Sequence, residues 1–303
     1  MKKCLVLLLL VATCIGVTGG SAHAAESPQK VLTVSPAATK PVVKPGQTIR
    51  DKLQVINQGD AAYTVRIYAT PYGVHGEEYK PDFTSVPGKP DITSWITFDT
   101  TSATVEKDKT LDVNYALTVP EDTEPGGYYL VAFAESKTDN DKQGVVVNQR
   151  VGEVFYIRVA GDVKEAGKIV SWNVPFLQND VLRGDVRLQN DGGTHYSSGA
   201  RMQVKDLFGG VKYEQISDKE VLPQTIRHIP LEWKDAPALG LFKVTGTVHV
   251  PRGDVSLSTK YVLVISPLFR VIFIMLILIV ILFAAWKLLG RRGGARSARI
   301  ANK

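Results

Sequence analysis

Most of the chain carries a hydrophobic pattern of period two, which indicates strands and not helices. Between residues 25 and 266, short runs alternate apolar and polar residues and are bounded by Gly, Pro, Asn and Asp. Such alternation places every second side chain on one face of a strand, whereas a helix needs apolar residues three and four apart. The first half contains seven predicted strands: 31–34, 49–56, 63–69, 95–98, 110–119, 128–135 and 145–159, the last with a predicted break near Gly152. The second half contains seven more: 167–174, 182–189, 199–205, 211–215, 226–233, 240–250 and 257–265.

These two sets predict an all-β protein with two tandem immunoglobulin-like β-sandwiches. About seven short strands in roughly 100 residues is the size of one such sandwich. The polar segment 160–166 has no apolar alternation, so we place the first sandwich at 25–160 and the second at 167–265. In both halves a loop with Asp and Pro ends at Gly and precedes a late strand, which indicates that one fold is used twice.

A polar segment with a central glycine also recurs in both halves. The segment NQGD, residues 57–60, follows the apolar run of the second predicted strand, and QNDGGTH, residues 189–195, follows an equivalent run. Asn, Asp and His around glycine could form a site, but the same composition is typical of turns. We interpret both segments as turns, polar because they lie outside.

The N-terminal residues 1–24 have the pattern of a secretory signal peptide. A basic start, an apolar stretch and an Ala-x-Ala sequence ending at Ala24 predict cleavage before Ala25. A lipoprotein processed at Cys14 is the alternative, although Thr13 is an unusual residue before a lipidated cysteine. Both cysteines, Cys4 and Cys14, lie in this segment, so the processed chain would contain neither disulfide nor cysteine ligand.

The C-terminal region predicts one transmembrane helix over residues 268–289 and a basic cytoplasmic tail over 290–303. The apolar run is long enough to cross the hydrocarbon core, with Arg270 at one end and Trp286 at the other. Cations without acids follow it, so the positive-inside rule places the β-sandwiches outside the cell. The predicted exported part contains 27 basic and 30 acidic residues, when the signal, Arg270 and the cations that follow the apolar run are left out. This slightly acidic balance argues against a nucleic-acid partner.

The first half resembles a family of bacterial surface proteins. Lys44-Pro45-Gly46 before a strand, Trp95-Ile96, Val119-Pro120 and the segment Pro125-Gly126-Gly127-Tyr128 are similar to the WxL-interacting proteins (DUF916-like). The same residues resemble, more distantly, PapD-like and other immunoglobulin-like surface domains. The family resemblance implies binding to partner surface proteins that carry WxL modules, and to peptidoglycan.

Candidate catalytic and metal sites are weak in this sequence. No two of the histidines after residue 24 have metal-ligand spacing, and Glu77 and Glu78 fit solvated loop charge better than acid–base catalysis. The segment from Asp139 begins like a calcium loop but has Arg150 where a bidentate Glu is needed. Trp95, Trp172 and Trp233 could stack on sugars, but they lie in predicted strands, where buried aromatics are common. We therefore expect no enzyme activity, metal or cofactor.

Two segments are the predicted partner contacts. One is the long connection 70–93, which is rich in Gly and Pro, because long loops in compact domains are often functional. The other is an Arg-Gly-Asp tripeptide at a predicted hairpin tip, although glycine between polar residues also suits an ordinary turn; a second such tripeptide is Arg183-Gly184-Asp185. The candidate residues are Tyr72, Tyr79, Phe83, Arg252, Gly253 and Asp254.

The combined prediction is a single-pass, membrane-anchored surface binding or scaffold protein that contacts peptidoglycan or a partner surface protein. Two alternatives stay open. The chain could be an accessory or glycan-processing module of an envelope enzyme, which needs titratable groups converging in one cleft. It could also be an export chaperone that adds a strand edge to its client.

Overall fold

The computed structural model describes residues 31–84, 90–136 and 149–300, with side chains as far as Lys287. The predicted signal peptide and most of the calcium-like segment lie outside the described residues. The described part is all-β up to Ile265 apart from one short 3-10 turn, and then helical, and it forms two immunoglobulin-like sandwiches followed by a C-terminal helix.

The first sandwich contains twelve described strands. They are β1 (Leu32–Ser35), β2 (Ala38–Thr39), β3 (Val42–Val43), β4 (Thr48–Asn57), β5 (Tyr63–Pro71), β6 (Gly73–His75), β7 (Lys80–Asp82), β8 (Ile96–Phe98), β9 (Ser102–Val105), β10 (Thr110–Thr118), β11 (Gly126–Ser136) and β12 (Arg150–Val159). One sheet has the order β1-β4-β10-β8 and the other β2-β12-β11-β5-β9, while β6 and β7 form a separate hairpin. The N-terminal segment crosses between the sheets, because β1 pairs with β4 and then β2 and β3 pair in parallel with β12.

The second sandwich contains nine strands. They are β13 (Gly167–Asn173), β14 (Leu177–Gln178), β15 (Leu182–Asn190), β16 (Tyr196–Lys205), β17 (Val211–Val221), β18 (Ile226–Trp233), β19 (Leu239–Val250), β20 (Gly253–Ser256) and β21 (Lys260–Ile265). One sheet has the order β13-β15-β18 and the other β14-β21-β19-β16-β17, with β20 also paired to β19. Each sandwich buries its own apolar cluster between its sheets, as the alternating pattern requires.

The strand boundaries correct several predictions. Strand β12 is not broken at Gly152, which pairs with Phe133; a side chain at Gly152 would meet the Phe133 ring at 2.7 Å, so glycine serves packing there. The predicted strand 257–265 begins later, at Lys260, because Leu257 still continues the pairing of β20, with its backbone N–H donating to the Gly246 carbonyl. The predicted loop 70–93 contains the β6–β7 hairpin, and the short strands β2, β3, β9, β14 and β20 were not predicted.

The recurring polar segments are turns, but the interpretation of them as wholly exposed is wrong. Asn57 and Asn190 are the last residues of β4 and β15, and both side chains are completely buried. Each side-chain amide bonds to backbone groups of its own turn and of a neighbouring strand. The asparagine is therefore part of the core that closes each sandwich, and only part of each turn is exposed.

A single helix, α1 (Pro267–Ile300), follows β21 after one residue. Its segment Pro267–Lys287 is long and apolar enough to cross a membrane, judged by length and composition, and none of it is buried against the sandwiches. Arg270 donates a hydrogen bond from Nη2 to the backbone oxygen of Gln178 at 3.3 Å, so the start of α1 is tied to the second sandwich.

Candidate binding site between the two sandwiches

The β6–β7 hairpin projects from the first sandwich onto the second. Its turn needs left-handed backbone at Gly76 (φ +66°) and Tyr79 (φ +55°), and the N–H of Tyr79 donates to the carbonyl of Gly76. Glycine adopts this conformation freely, whereas tyrosine does so only when its surroundings hold it. The contacts of Tyr79 supply that hold.

Tyr79 is inserted into the second sandwich. Its side chain is 6% exposed, and its hydroxyl accepts a hydrogen bond from the backbone N–H of Leu222 at 3.0 Å and bonds to Thr225. The guanidinium of Arg227 lies 4.0 Å from the centre of its ring. Burial raises the pKa of the Tyr79 hydroxyl, so this group stays neutral at physiological pH.

The two glutamates of the hairpin turn reach basic groups of the second sandwich. The Glu77 carboxylate bonds to both Arg187 Nε, at 2.5 Å, and Arg187 Nη2, and this pairing lowers the pKa of Glu77. Glu78 contacts His228 Nδ1 at 2.8 Å, and the backbone N–H of His228 donates to the Glu77 carbonyl at 2.9 Å. Because His228 lies in the edge strand β18, the hairpin also covers an open sheet edge. Glu77 is therefore a partly shielded, paired carboxylate, whereas Glu78 is 67% exposed, as predicted for a solvated loop charge.

A second contact joins β11 to the turn before β16. The backbone N–H of Gly127 donates to the Gly193 carbonyl at 3.0 Å, and the backbone N–H of His195 donates to the Tyr129 hydroxyl at 3.0 Å. The His195 ring packs edge-on against Tyr129, with the ring centres 5.6 Å apart. Burial lowers the pKa of His195, so the imidazole is neutral in this interface.

A third contact involves Lys40, in the segment between β2 and β3. Its ammonium group bonds to Glu220 and lies 3.1 Å from the Ser197 hydroxyl. The Ser197 hydroxyl also donates to the same Glu220 oxygen at 2.5 Å. The two sandwiches are thus joined at three places: the β6–β7 hairpin, the β11 contact and this charged cluster. We name these three contacts together the interdomain clamp.

An apolar pocket lies inside the interdomain clamp. Its volume is about 120 Å³. Both sandwiches contribute to its wall, which is lined by tyrosines, prolines and aliphatic residues: Pro71, Tyr72, Val74, Pro90, Ile92, Tyr128, Tyr129, Leu222 and Pro223, with Asp91, Thr225 and two glycines. The Asp91 carboxylate already accepts the backbone N–H and the hydroxyl of Thr93, which lowers its pKa. One oxygen of this carboxylate, Oδ1, is therefore already occupied, and most of the other lining residues are apolar.

The predicted contact residues of segment 70–93 are distributed around this clamp. Tyr72 and Tyr79 are 8% and 6% exposed and form a small apolar cluster with Tyr156 and Leu222. Phe83 is half-buried and packs edge-on against Phe133, with ring centres 4.9 Å apart. The segment does make contacts through these residues, but the contacts described are within the chain. Their role toward a partner stays a prediction.

The predicted Arg-Gly-Asp tip is at a hairpin turn, between β19 and β20. Gly253 has φ +111°, a conformation that favours glycine, and the Asp254 carboxylate contacts His249 Nδ1 at 2.7 Å. The other tripeptide is different: Gly184 is buried within β15, and Arg183 pairs across strands with Glu232 at 3.0 Å. Receptor binding by Arg252, Gly253 and Asp254 stays a prediction.

Within residues 31–84, 90–136 and 149–300, no group of three or more His, Cys, Asp or Glu side chains could hold a metal ion. Of the three tryptophans considered for sugar stacking, Trp95 is buried against Tyr128, Trp172 donates to the Ser258 carbonyl, and Trp233 stacks on Tyr213.

Local sequence patterns do not reveal the residues that matter most in this region. The basic partners Arg187, Arg227 and His228 carry no local signal, because they lie 110 residues or more from their contacts in the hairpin. The one sequence feature that could have indicated this interface is Gly127, a glycine at the start of a strand with aromatic neighbours. A side chain at Gly127 would overlap the Tyr129 hydroxyl and lie 3.1 Å from Cα of Thr194, so the two sandwiches could not approach as they do.

The fold and these contacts define a two-domain immunoglobulin-like protein with a C-terminal apolar helix. No family model matches the chain, and no curated protein matches it. The WxL-interacting (DUF916-like) affiliation therefore stays a prediction.

Solved structures to which the chain is similar include fimbrial chaperones and a PapD-like domain. The YadV chaperone has 11% identity and a TM-score of 0.39, with 76% of this chain and 99% of that chain covered. The Escherichia coli chaperone DraB has 15% identity and a TM-score of 0.36, with 77% and 95% covered. The CsuC–CsuE chaperone–tip adhesion subunit complex of Acinetobacter baumannii has 12% identity and a TM-score of 0.37, with 78% and 99% covered.

Proposed function

We propose that this chain is a single-pass, membrane-anchored surface protein that binds an apolar side chain of a protein partner in the pocket between its two sandwiches. The observation that carries the proposal is the pocket itself, whose wall combines residues of both sandwiches. Pockets at domain boundaries, lined by apolar and aromatic groups, are common ligand sites.

The size and lining of the pocket favour one side chain over a larger ligand. An apolar cavity of about 150 Å³ can hold benzene, and this pocket has about 120 Å³. The interdomain clamp keeps both walls in place before a partner arrives, and such preorganisation reduces the entropy lost on binding. A leucine or a small aromatic side chain of an extended segment therefore fits this site.

A protein partner is favoured over peptidoglycan by the chemistry of the lining. Sugars need several hydrogen-bond partners, whereas this pocket offers mainly proline, tyrosine and aliphatic surface. The resemblance to the WxL-interacting proteins implies partners with WxL modules, and the leucine of such a module has the required size and apolar character. This role needs no catalytic group, so we propose a binding protein and not an enzyme.

The proposed orientation comes from the C-terminal helix. Pro267–Lys287 would span the membrane, and the cations that follow it would remain in the cytoplasm. Both sandwiches would then lie outside the cell, with the first sandwich farther from the membrane because the helix leaves from the second.

The proposal can be tested with the full chain in lipid nanodiscs. A fluorescent peptide with a central Trp-x-Leu sequence is titrated against wild type, and a peptide with alanine at both positions is the peptide control. The Val74→Trp substitution would fill the pocket and should weaken binding about tenfold or more, which is a loss of about 1.4 kcal/mol. Val170→Trp, on the partly exposed β13 of the second sandwich, should have no effect.

Two results would contradict this function. Equal binding of both peptides would show that the apolar side chains are not recognised. The second contradicting result is that the chain binds neither peptide but is retained on purified peptidoglycan, and that Val74→Trp abolishes this retention. The pocket would then be a glycan site.

A second candidate function is strand addition to a client, as for an export chaperone. The observation that favours it is β17, which is eleven residues long and lies at the outer edge of its sheet. An open edge can pair with a strand from another protein. A Ser217→Pro substitution, which removes a backbone donor in mid-strand, should abolish client capture in this case and should leave pocket binding unchanged.

A further inference from the structure

The second sandwich presents exposed apolar side chains at the end from which α1 leaves. Phe208 is 99% exposed. Five further side chains at this end are between 39% and 61% exposed: Phe176, Leu177, Leu207, Leu239 and Leu241. We name these six residues the apolar base.

Strand register brings the apolar base next to the start of the helix. Leu239 pairs with Ile265, which lies two residues before Pro267, and Leu177 and Leu241 both pair with Leu263. Lys205 pairs with Lys243, so the turn that follows β16 and carries Leu207 and Phe208 extends toward the same end. The interdomain clamp contacts the turns at the opposite end of this sandwich, including Gly193 and Leu222.

The turn that carries Phe208 is held in a defined shape. Asp206 Oδ1 accepts hydrogen bonds from the backbone N–H groups of Phe208, at 2.9 Å, and Gly210, at 2.8 Å. Lys212 lies 3.0 Å from the other oxygen of the same carboxylate. Gly209 supplies a left-handed residue at φ +90°. The turn therefore holds the Phe208 side chain exposed to solvent. Exposure of an apolar ring to water is unfavourable.

The helix cannot swing freely away from this end. Arg270 in the first turn of α1 bonds to the Gln178 carbonyl, and the backbone N–H of Ser266 donates to the Ala238 carbonyl at 2.7 Å. Gln178 and Ala238 are direct neighbours of Leu177 and Leu239 in the chain. When α1 enters a bilayer, these ties bring the apolar base to the membrane surface.

We propose that the apolar base lies in the interfacial region of the outer leaflet, so that the second sandwich rests on the membrane instead of standing clear of it. This inference depends on the proposed membrane span. Aromatic and aliphatic side chains gain free energy by entering the boundary between headgroups and acyl chains. Lys205 and Lys243, opposite each other on the outer face of the same sheet, repel one another, and an anionic headgroup offsets this repulsion.

The experiment uses the full chain with both native cysteines replaced by serine. A single cysteine is introduced by Phe208→Cys, by Ser102→Cys in the first sandwich, or by Leu278→Cys within the span, and each is labelled with an environment-sensitive nitrobenzoxadiazole dye. The proteins are placed one per nanodisc in phosphatidylcholine with phosphatidylglycerol. Quenching by a lipid with a spin label near its headgroup, and by aqueous iodide, then reports depth.

The expected result is that the dye at 208 is quenched several-fold more by the spin-labelled lipid than the dye at 102, and is protected from iodide. Replacing Lys205 and Lys243 by alanine should reduce this lipid contact most in discs that contain phosphatidylglycerol. The dye at 278 reports the span independently. Because Phe208 is fully exposed, its replacement should not disturb folding.

Three outcomes would overturn the inference. If the dye at 278 contacts lipid while the dye at 208 is in water, the span is present but the second sandwich does not lie on the membrane. An aqueous environment at 278 would refute the span itself, and with it the inference. Protection at 208 that also occurs in detergent and rises with protein concentration would identify a second copy of this chain as the occupant.

Discussion

Asn57 and Asn190 make the same hydrogen bonds at equivalent corners of the two sandwiches. Each side-chain N–H₂ donates to the carbonyl four residues ahead and to the last carbonyl of a neighbouring strand, at 2.8 to 2.9 Å. Each side-chain oxygen accepts the backbone N–H of the glycine two residues ahead. A buried amide that satisfies three backbone groups fixes the turn. The two sandwiches therefore share this hydrogen-bonding pattern at the same corner of the fold.

Replacing Asn57 or Asn190 by alanine should therefore destabilise the corresponding sandwich. Each substitution leaves a glycine N–H and two carbonyls without their partner inside the fold, and we expect a loss of about 1–3 kcal/mol in the free energy of unfolding. Urea unfolding followed by tryptophan fluorescence measures the loss. The neighbouring Gln58→Ala, on an exposed residue, should stay within about 0.5 kcal/mol of wild type. Equal effects at 57 and 58 would contradict the role of the asparagine.

Glu153 should make the first sandwich less stable as the pH rises. Its side chain is fully buried among apolar residues and both carboxylate oxygens are without a hydrogen-bond partner. Burial, and then the charge of Asp51, raise its pKa to about 8 from an ordinary 4.5. The folded state thus holds a proton that the unfolded state releases, so the contribution of Glu153 to stability is greatest below about pH 4.5 and falls until about pH 8.

The Glu153→Gln variant isolates this effect. Glutamine keeps the shape and cannot ionise, so the fall in stability between pH 5 and 8 (on the order of 3 kcal/mol) should be reduced in the variant. Urea midpoints measured across this range give the comparison. A variant that follows the wild-type pH profile would show that another group is responsible.

Gly127→Ala should open the contact between β11 and the turn before β16 without unfolding either sandwich. The added methyl group overlaps the Tyr129 hydroxyl and meets the backbone of Thr194, so the Gly127–Gly193 and Tyr129–His195 contacts cannot both form. Hydrogen exchange at residues 193–195 should increase by at least about tenfold, which is about 1.4 kcal/mol of local opening. Gly199→Ala is the matched control, because its methyl group makes only ordinary contacts of 3.4 Å or more.

Tyr79→Phe tests the hairpin part of the clamp. The substitution keeps the buried ring and its contact with Arg227, but it leaves the Leu222 N–H and Thr225 without the hydroxyl. We expect a loss of about 1–3 kcal/mol in the free energy of unfolding. Tyr261→Phe, at a ring that is 54% exposed, should be nearly neutral. Loss of stability in both variants alike would point to a general effect of removing a hydroxyl.

The sequence predicted the architecture well because alternation directly reports which face of a strand is buried. The two sandwiches, most of the long strands and the C-terminal apolar helix follow from that pattern and from the uninterrupted apolar run. Gly152 shows where prediction from alternation fails. A glycine in a strand can mark a break or make room for a ring, and only the position of Phe133 across the sheet distinguishes the two.

The candidate site was less predictable because its energetics depend on pairs that are distant in the chain. Segment 70–93 was predicted to contact a partner, and that role stays a prediction; nothing local indicated that the second sandwich receives Tyr79. Glu77 next to Glu78 looks like ordinary surface charge until Arg187 and His228 are placed beside it. Asn57 looked like a turn residue for the same reason: burial of a polar side chain becomes visible only with its partners.

The interdomain clamp also has a mechanical consequence. A pull on the first sandwich reaches the second through the hairpin, the Gly127–Gly193 bond and the Lys40–Glu220 pair at the same time, and not through the short segment after Val159 alone. Bonds loaded in parallel share the force, so the two sandwiches act as one stiff lever. Because Arg270 joins this lever to α1, a sideways force on the first sandwich is transmitted to the start of α1 as a torque.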